Sequence, residues 1–149
     1  MALATKLSEV CDKLVALLEA QAEDLGIADG GVFYGDQERI PASPAVCVEP
    51  NTKKVSLYGA GRMTEVFLEV YLLVYHSEIR DLQSNRRDAD RLAEDIATLV
   101  NTDGTFFGLA IHCYVTEMQS GYSNKQNTTL RSTRITFQVE TQERLPNNP

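Results

Sequence analysis

The chain is poor in the groups that catalysis and metal binding usually need. Among its 149 residues are two histidines, His76 and His112, and three cysteines, Cys11, Cys47 and Cys113. The cysteines are odd in number, scattered and never arranged as CxxC, so no disulfide framework or zinc-finger spacing is present. Their expected role is as reduced, small core groups. His112 adjoins Cys113, but successive strand residues point to opposite faces and do not easily share one metal. Cys47 or Cys113 paired with a histidine is a conceivable nucleophile. Both, however, fall at apolar strand positions where a thiol is inert. No GxSxG elbow offers a serine. Gly59-Ala60-Gly61 begins a GxGxxG, yet Thr64 stands where the last glycine belongs. That run also separates two strands instead of opening a helix, so no helix N-terminus awaits a phosphate.

Positive charge is scarce as well. Fourteen Lys and Arg face 21 Asp and Glu, for a net charge of −7. That balance argues against nucleic acid held through phosphate neutralisation and suits a surface that nucleic acid slides past. A long apolar run is missing at the N-terminus, where Asp12 and Lys13 interrupt the apolar positions. The expectation is neither signal peptide nor membrane span, and a protein cytosolic where it is made. Asn127-Thr128-Thr129 fits a glycosylation sequon, but without a secretory signal it carries no weight.

What the sequence does contain is an order of elements. With 43% hydrophobic and 23% charged residues, it has the composition of one soluble globular domain over 1–149, its last residues 146–149 frayed. Residues 4–25 read as a helix, with Leu7, Val10, Leu14, Leu17, Leu18 and Leu25 at helical spacing, Thr5 or Ser8 as cap and Gly26 as stop. Val32-Phe33-Tyr34 reads as a short strand. Residues 45–49 and 54–58 read as two short strands joined by a turn at Asn51-Thr52-Lys53, the first an edge strand bounded by Pro44 and Pro50.

Residues 62–75 then read as one long strand. Thr64, Val66, Leu68, Val70, Leu72 and Val74 form a face that must lie on helices, and the other face mixes aromatics with Glu65 and Glu69. Those two carboxylates lie about 13 Å apart by strand rise, farther than the paired carboxylates of glycosidases. A second helix follows, capped by Ser84 or Asn85, with an apolar stripe of Ala89, Leu92, Ile96, Leu99 and Val100. Its first turn holds Arg86 and Arg87, with Arg91 beyond. Residues 107–118 read as strand, 119–129 as a polar loop, and 130–144 as a last strand with Ile135, Phe137 and Val139 facing in. The predicted fold class is α+β: a mixed, mainly antiparallel sheet with two helices on one face. A 14-residue strand would reach about 45 Å in a domain roughly 40 Å across. Its ends need covering, which points to assembly with other chains. The contacts are expected on the Glu65–Glu69 strand face, on the Arg86, Arg87 and Arg91 helix face, and in the polar loop with its anchor Tyr122 and its charge Lys125.

Val46-Cys47-Val48-Glu49-Pro50, the run from Phe67 to Tyr75, the helix from Arg86 to Val100 and Ile135-Thr136-Phe137-Gln138-Val139 carry a resemblance. In this pattern, over nearly its whole length, the chain resembles the tail terminator (tail completion) proteins of long-tailed bacteriophages, the group that includes the lambda-type minor tail protein. The resemblance transfers no individual functional residue. It implies a non-enzymatic virion protein without cofactor or metal, made in the host cytoplasm and placed at the head-proximal end of the tail. There it forms a ring, usually hexameric, that caps the tail tube and ends its polymerisation. Its implied partners are its own copies, the tail tube protein and a head completion or neck protein. Genome DNA passes the lumen without specific binding, and no membrane is involved. A head-to-tail connector or neck adaptor shares size and class. From another class, a small cytosolic ligand-binding domain or enzyme would use the polar sheet face around His112, Tyr114 and Tyr71.

Overall fold

The computed structural model describes residues 6–58, 63–77, 82–101 and 112–144. Its elements run α1 (Leu7–Leu25), β1 (Val32–Tyr34), β2 (Ala45–Tyr58), β3 (Met63–Ser77), α2 (Leu82–Asn101), β4 (His112–Lys125) and β5 (Thr128–Arg144). The five strands form one sheet in the order β1-β2-β3-β5-β4. Only β1–β2 is parallel; β2–β3, β3–β5 and β4–β5 are antiparallel. The fold is α+β, as the element pattern predicts.

Alternation decides which face is buried. Along β3, Thr64, Val66, Leu68, Val70, Leu72 and Val74 are buried and the intervening residues from Met63 to Leu73 are half-buried. On the same face β5 supplies Ile135, Phe137 and Val139, and β2 supplies Val46 and Val48. Onto it α1 presents Val10, Leu14 and Leu18, and α2 presents Leu92, Ile96 and Val100. α1 packs on β1 and β2, while α2 packs on β5, β3 and β4. A smaller cluster forms on the other face, where Cys47, Tyr75 and Leu130 are covered by Ile40 from the β1–β2 connection.

α1 ends at Gly26, whose φ of 78° lies in the left-handed region and whose N–H reaches the Ala22 and Glu23 carbonyls. Its N-cap is Lys6, without a side-chain cap bond. Ser8 lies inside the helix and does not cap it, and Thr5 lies outside the described residues. α2 begins at Leu82, so Ser84 and Asn85 are helical residues instead of caps, and Arg86 and Arg87 occupy the second turn. Gly59-Ala60-Gly61 and Phe107 to Ile111 lie outside the described residues.

Two strand readings need correction. Residues 45–58 are one strand, because the ladder with β3 continues through a register shift between Pro50 and Thr52. A bulge absorbs the proline that locally resembles a strand end. The stretch 119–129 is no loop. β4 runs to Lys125, and a two-residue turn, Gln126-Asn127, leads into β5 at Thr128. Both turn residues have positive φ, 49° and 66°, the signature of a type I′ hairpin. Asn tolerates that region, whereas Gln carries its Cβ there at a cost. Replacing the pair by Asn-Gly (Q126N/N127G) is therefore expected to stabilise the chain by about 0.5–1 kcal/mol. Urea unfolding reads it, and an unchanged midpoint would refute the turn assignment.

Candidate interaction surfaces

The nominated residues fall on three surfaces. Glu65 and Glu69 project from the sheet face that carries no helices. Glu69 accepts a hydrogen bond from Asn51 Nδ2 at 2.6 Å, and Glu65 faces Ser56 and Gln142 across the ladders. The same face holds Arg134, whose guanidinium lies 4.8 Å from the Tyr71 ring centroid and donates to Gln119 at 2.7 Å. Tyr114, Gln138 and Glu140 form a hydrogen-bonded group with distances of 3.3–3.4 Å. Much of the polarity here is internally paired, although Arg134 Nε is buried without a hydrogen-bond partner.

Arg86 and Tyr122, nominated as separate contacts, meet each other. Arg86 Nε and Nη2 both donate to the Tyr122 hydroxyl, at 3.0 and 2.7 Å. Arg131 lies on the same ring, its guanidinium 5.3 Å from the centroid, and reaches Asp90 at 3.6 Å. Arg131 and Asp90 escape sequence reasoning because their significance comes only from register. Arg131 is directly opposite Tyr122 in the β4–β5 ladder, and Asp90 is one helical turn from Arg86. Arg87 and Arg91 are both exposed, and Arg91 borders a depression with Leu25, His76 and Asp95.

Lys125 is not a projecting charge. Its ammonium pairs with Asp36 at 2.9 Å and sits 5.1 Å from the Tyr75 ring centroid. The Tyr75 hydroxyl donates to the same Asp36 at 2.7 Å. Burial, and then this hydrogen bond, push the Tyr75 pKa above its usual value. Asp36 thus ties the β1–β2 connection to the hairpin end, a role hidden in a glycine-rich stretch.

No cluster of three or more His, Cys, Asp or Glu able to hold a metal occurs among the described residues. Cys47 and Cys113 are separated by β3 and β5 and lie on opposite faces. They cannot meet across the sheet, and Cys47 belongs to the face away from the helices. A depression of about 350 Å³ beside β4, bordered by Asp36, Gln119, Ser123 and Arg134, is open and mainly polar, unlike the enclosed apolar clefts that hold small ligands. No helix among the described residues is long and apolar enough to cross a membrane.

The large side chains left exposed lie on strands at the sheet margins. Leu57 is 75% and Val55 50% exposed on the part of β2 that β1 does not cover, Tyr34 44% on β1, and Tyr122 46% on β4. Sheet margins with apolar groups and unpaired backbone are where another chain can dock.

No protein-family model matches the chain, and no curated protein matches it. Among solved structures, a chain described as "Virion of native gene transfer agent (GTA) particle" is similar in fold, with a TM-score of 0.55. The likeness covers 87% of this chain and 92% of that one at 11% identity. At that identity what is shared is the fold, over nearly the full length of both chains.

Proposed function

We propose that the chain is a structural subunit of a phage-like virion, and within it a tail terminator. In this reading its copies form a ring, six by the family resemblance, that caps the tail tube, ends its polymerisation and joins the tail to the head. The observation that carries the proposal is the fold likeness to a chain of a gene transfer agent virion across 87% of the sequence. Long strands support it: β3 has 15 residues and β5 has 17, about 50 and 56 Å at strand rise. Exposed apolar and aromatic groups stand at both sheet margins, on β1, β2 and β4, where neighbouring chains can dock. The net charge of −7 suits a ring through which DNA passes without sticking. No catalytic step is assigned to any residue.

The test is electron microscopy of particles from a phage whose copy of this gene is deleted. Overlong, headless tails are expected. Tails of normal length that fail to join heads would instead place the chain in the neck as an adaptor, a position the same fold likeness supports. Tails of normal length attached to heads would end both readings.

A further inference from the structure

The β1–β2 connection, residues 35–44, lies over the small apolar cluster on the sheet face that carries no helices. From this segment Ile40 packs on Cys47, Tyr75 and Leu130, with Phe33 and Leu73 at the margin. Backbone hydrogen bonds fix its two ends. At one, Gly35, with a φ of 84°, donates its N–H to the Val48 carbonyl at 2.7 Å. At the other, the Pro44 carbonyl accepts from the Ala28 N–H at 2.9 Å. Between them, residues 36–43 make no backbone–backbone hydrogen bond among the described residues. Segments fastened so sparsely open at a small fraction of the free energy of global unfolding.

What holds the middle is Asp36. Its carboxylate accepts from the Tyr75 hydroxyl at 2.7 Å and from the Lys125 ammonium at 2.9 Å, and its N–H donates to Glu49 Oε2 at 2.5 Å. Asp36 thereby joins the segment to β3 and to the end of β4, neither of them a neighbour of β1 in the sheet. Gln37 Nε2 turns back to the Tyr34 and Gly35 carbonyls, and the Gln37 N–H meets the Cys47 thiol. Glu38, Arg39, Pro41 and Ala42 are exposed. A depression of about 350 Å³ borders Asp36, and one of about 300 Å³ separates Arg39 and Ile40 from Lys125 and Gln126. The segment therefore packs loosely against β4 and its turn.

We infer that residues 35–44 form a strap latched by Asp36, which opens as a unit while the rest of the fold stays intact. Opening uncovers an apolar patch of Phe33, Cys47, Leu73, Tyr75 and Leu130. Closed, the strap keeps that patch from other chains; open, it gives a mainly polar sheet face a place for apolar contact. The device does not rest on the virion reading.

Cys47 reports the opening, because it is buried beneath the strap, whereas Cys11 is buried on α1 in the main core. Labelling of the folded full chain with N-ethylmaleimide at pH 8, followed by peptide mass spectrometry, reads both thiols at once. Cys47 is expected to react at least tenfold faster than Cys11. Its rate should stay nearly flat in low urea while that of Cys11 climbs steeply, since exposing Cys11 requires the main core to open. D36A and K125M are each expected to speed Cys47 at least tenfold and to leave Cys11 unchanged. K125M separates opening from charge. Lys125 favours the Cys47 thiolate, so without opening its loss would slow the reaction. The inference is overturned if Cys47 and Cys11 of the natural chain react alike with equal urea dependence. It is also overturned if either variant leaves Cys47 no faster, or speeds both thiols together.

Discussion

Phe137→Ala is expected to lower the unfolding free energy by about 3–5 kcal/mol, the cost of removing a large buried ring and leaving a cavity. Phe137 is 0% exposed and lies on β5 between Val70 of β3 and Val115 of β4. The sheet beneath it and the helices above are both built on its face, so neither can collapse fully into the space. For a chain of this length each kcal/mol moves the midpoint of thermal unfolding by about 2–4 °C, so a fall of roughly 10 °C should follow. Leu57→Ala is the control, since at 75% exposure it should change stability by no more than about 0.5 kcal/mol. Equal costs in urea unfolding would mean that the inner face of β5 is wrongly assigned. The consequence reaches the interaction surface, because the strand that holds Phe137 also positions Arg131 and Arg134.

Stability should also fall steeply in alkali. Burial, then the charges of Asp12 and Glu49, push the Cys11 thiol from 9.0 up to about 12. Burial likewise pushes Cys47 from 9.0 up to about 11, partly offset by a hydrogen bond with the Gln37 backbone and by Lys125. The folded chain keeps both thiols protonated where the unfolded chain releases them. Their contribution is therefore complete below pH 9 and is lost as pH rises through the folded values. At pH 10.5 the loss is at most about 2 kcal/mol per thiol. Tyr75, also raised, adds to it above pH 10. Urea midpoints at pH 8 and 10.5 check the sign, and C11A and C47A should each flatten the dependence. A midpoint that does not move between those pH values would contradict the burial of both thiols.

Much of the fold was legible because its signals are local. Alternation along β3, apolar spacing in α1 and α2, and the inward set on β5 each depend on one element's own periodicity. Where the readings failed, a neighbouring strand had overridden local chemistry. Pro50-Asn51-Thr52 looks like a turn, but the ladder to β3 carries β2 through it with a bulge. The run from Gln119 to Lys125 has no apolar alternation, since an edge strand wetted on both faces needs none. It is a strand because β5 offers it a ladder. The candidate contacts divide in the same way. Arg86, Tyr122 and Lys125 were found as charged or aromatic outliers, whereas their partners Arg131, Asp90 and Asp36 are ordinary in sequence and distant along it.

The sequence by itself determined the α+β class, the two faces of the long strands and the absence of familiar catalytic and metal-binding motifs. Composition and short-range periodicity are sufficient for those. Only the tertiary structure decided that β2 and the β4–β5 hairpin are continuous. It alone brought Arg86 to Tyr122 and Lys125 to Asp36. Strand register and helix placement are set by long-range packing, and no single stretch of the chain carries that information.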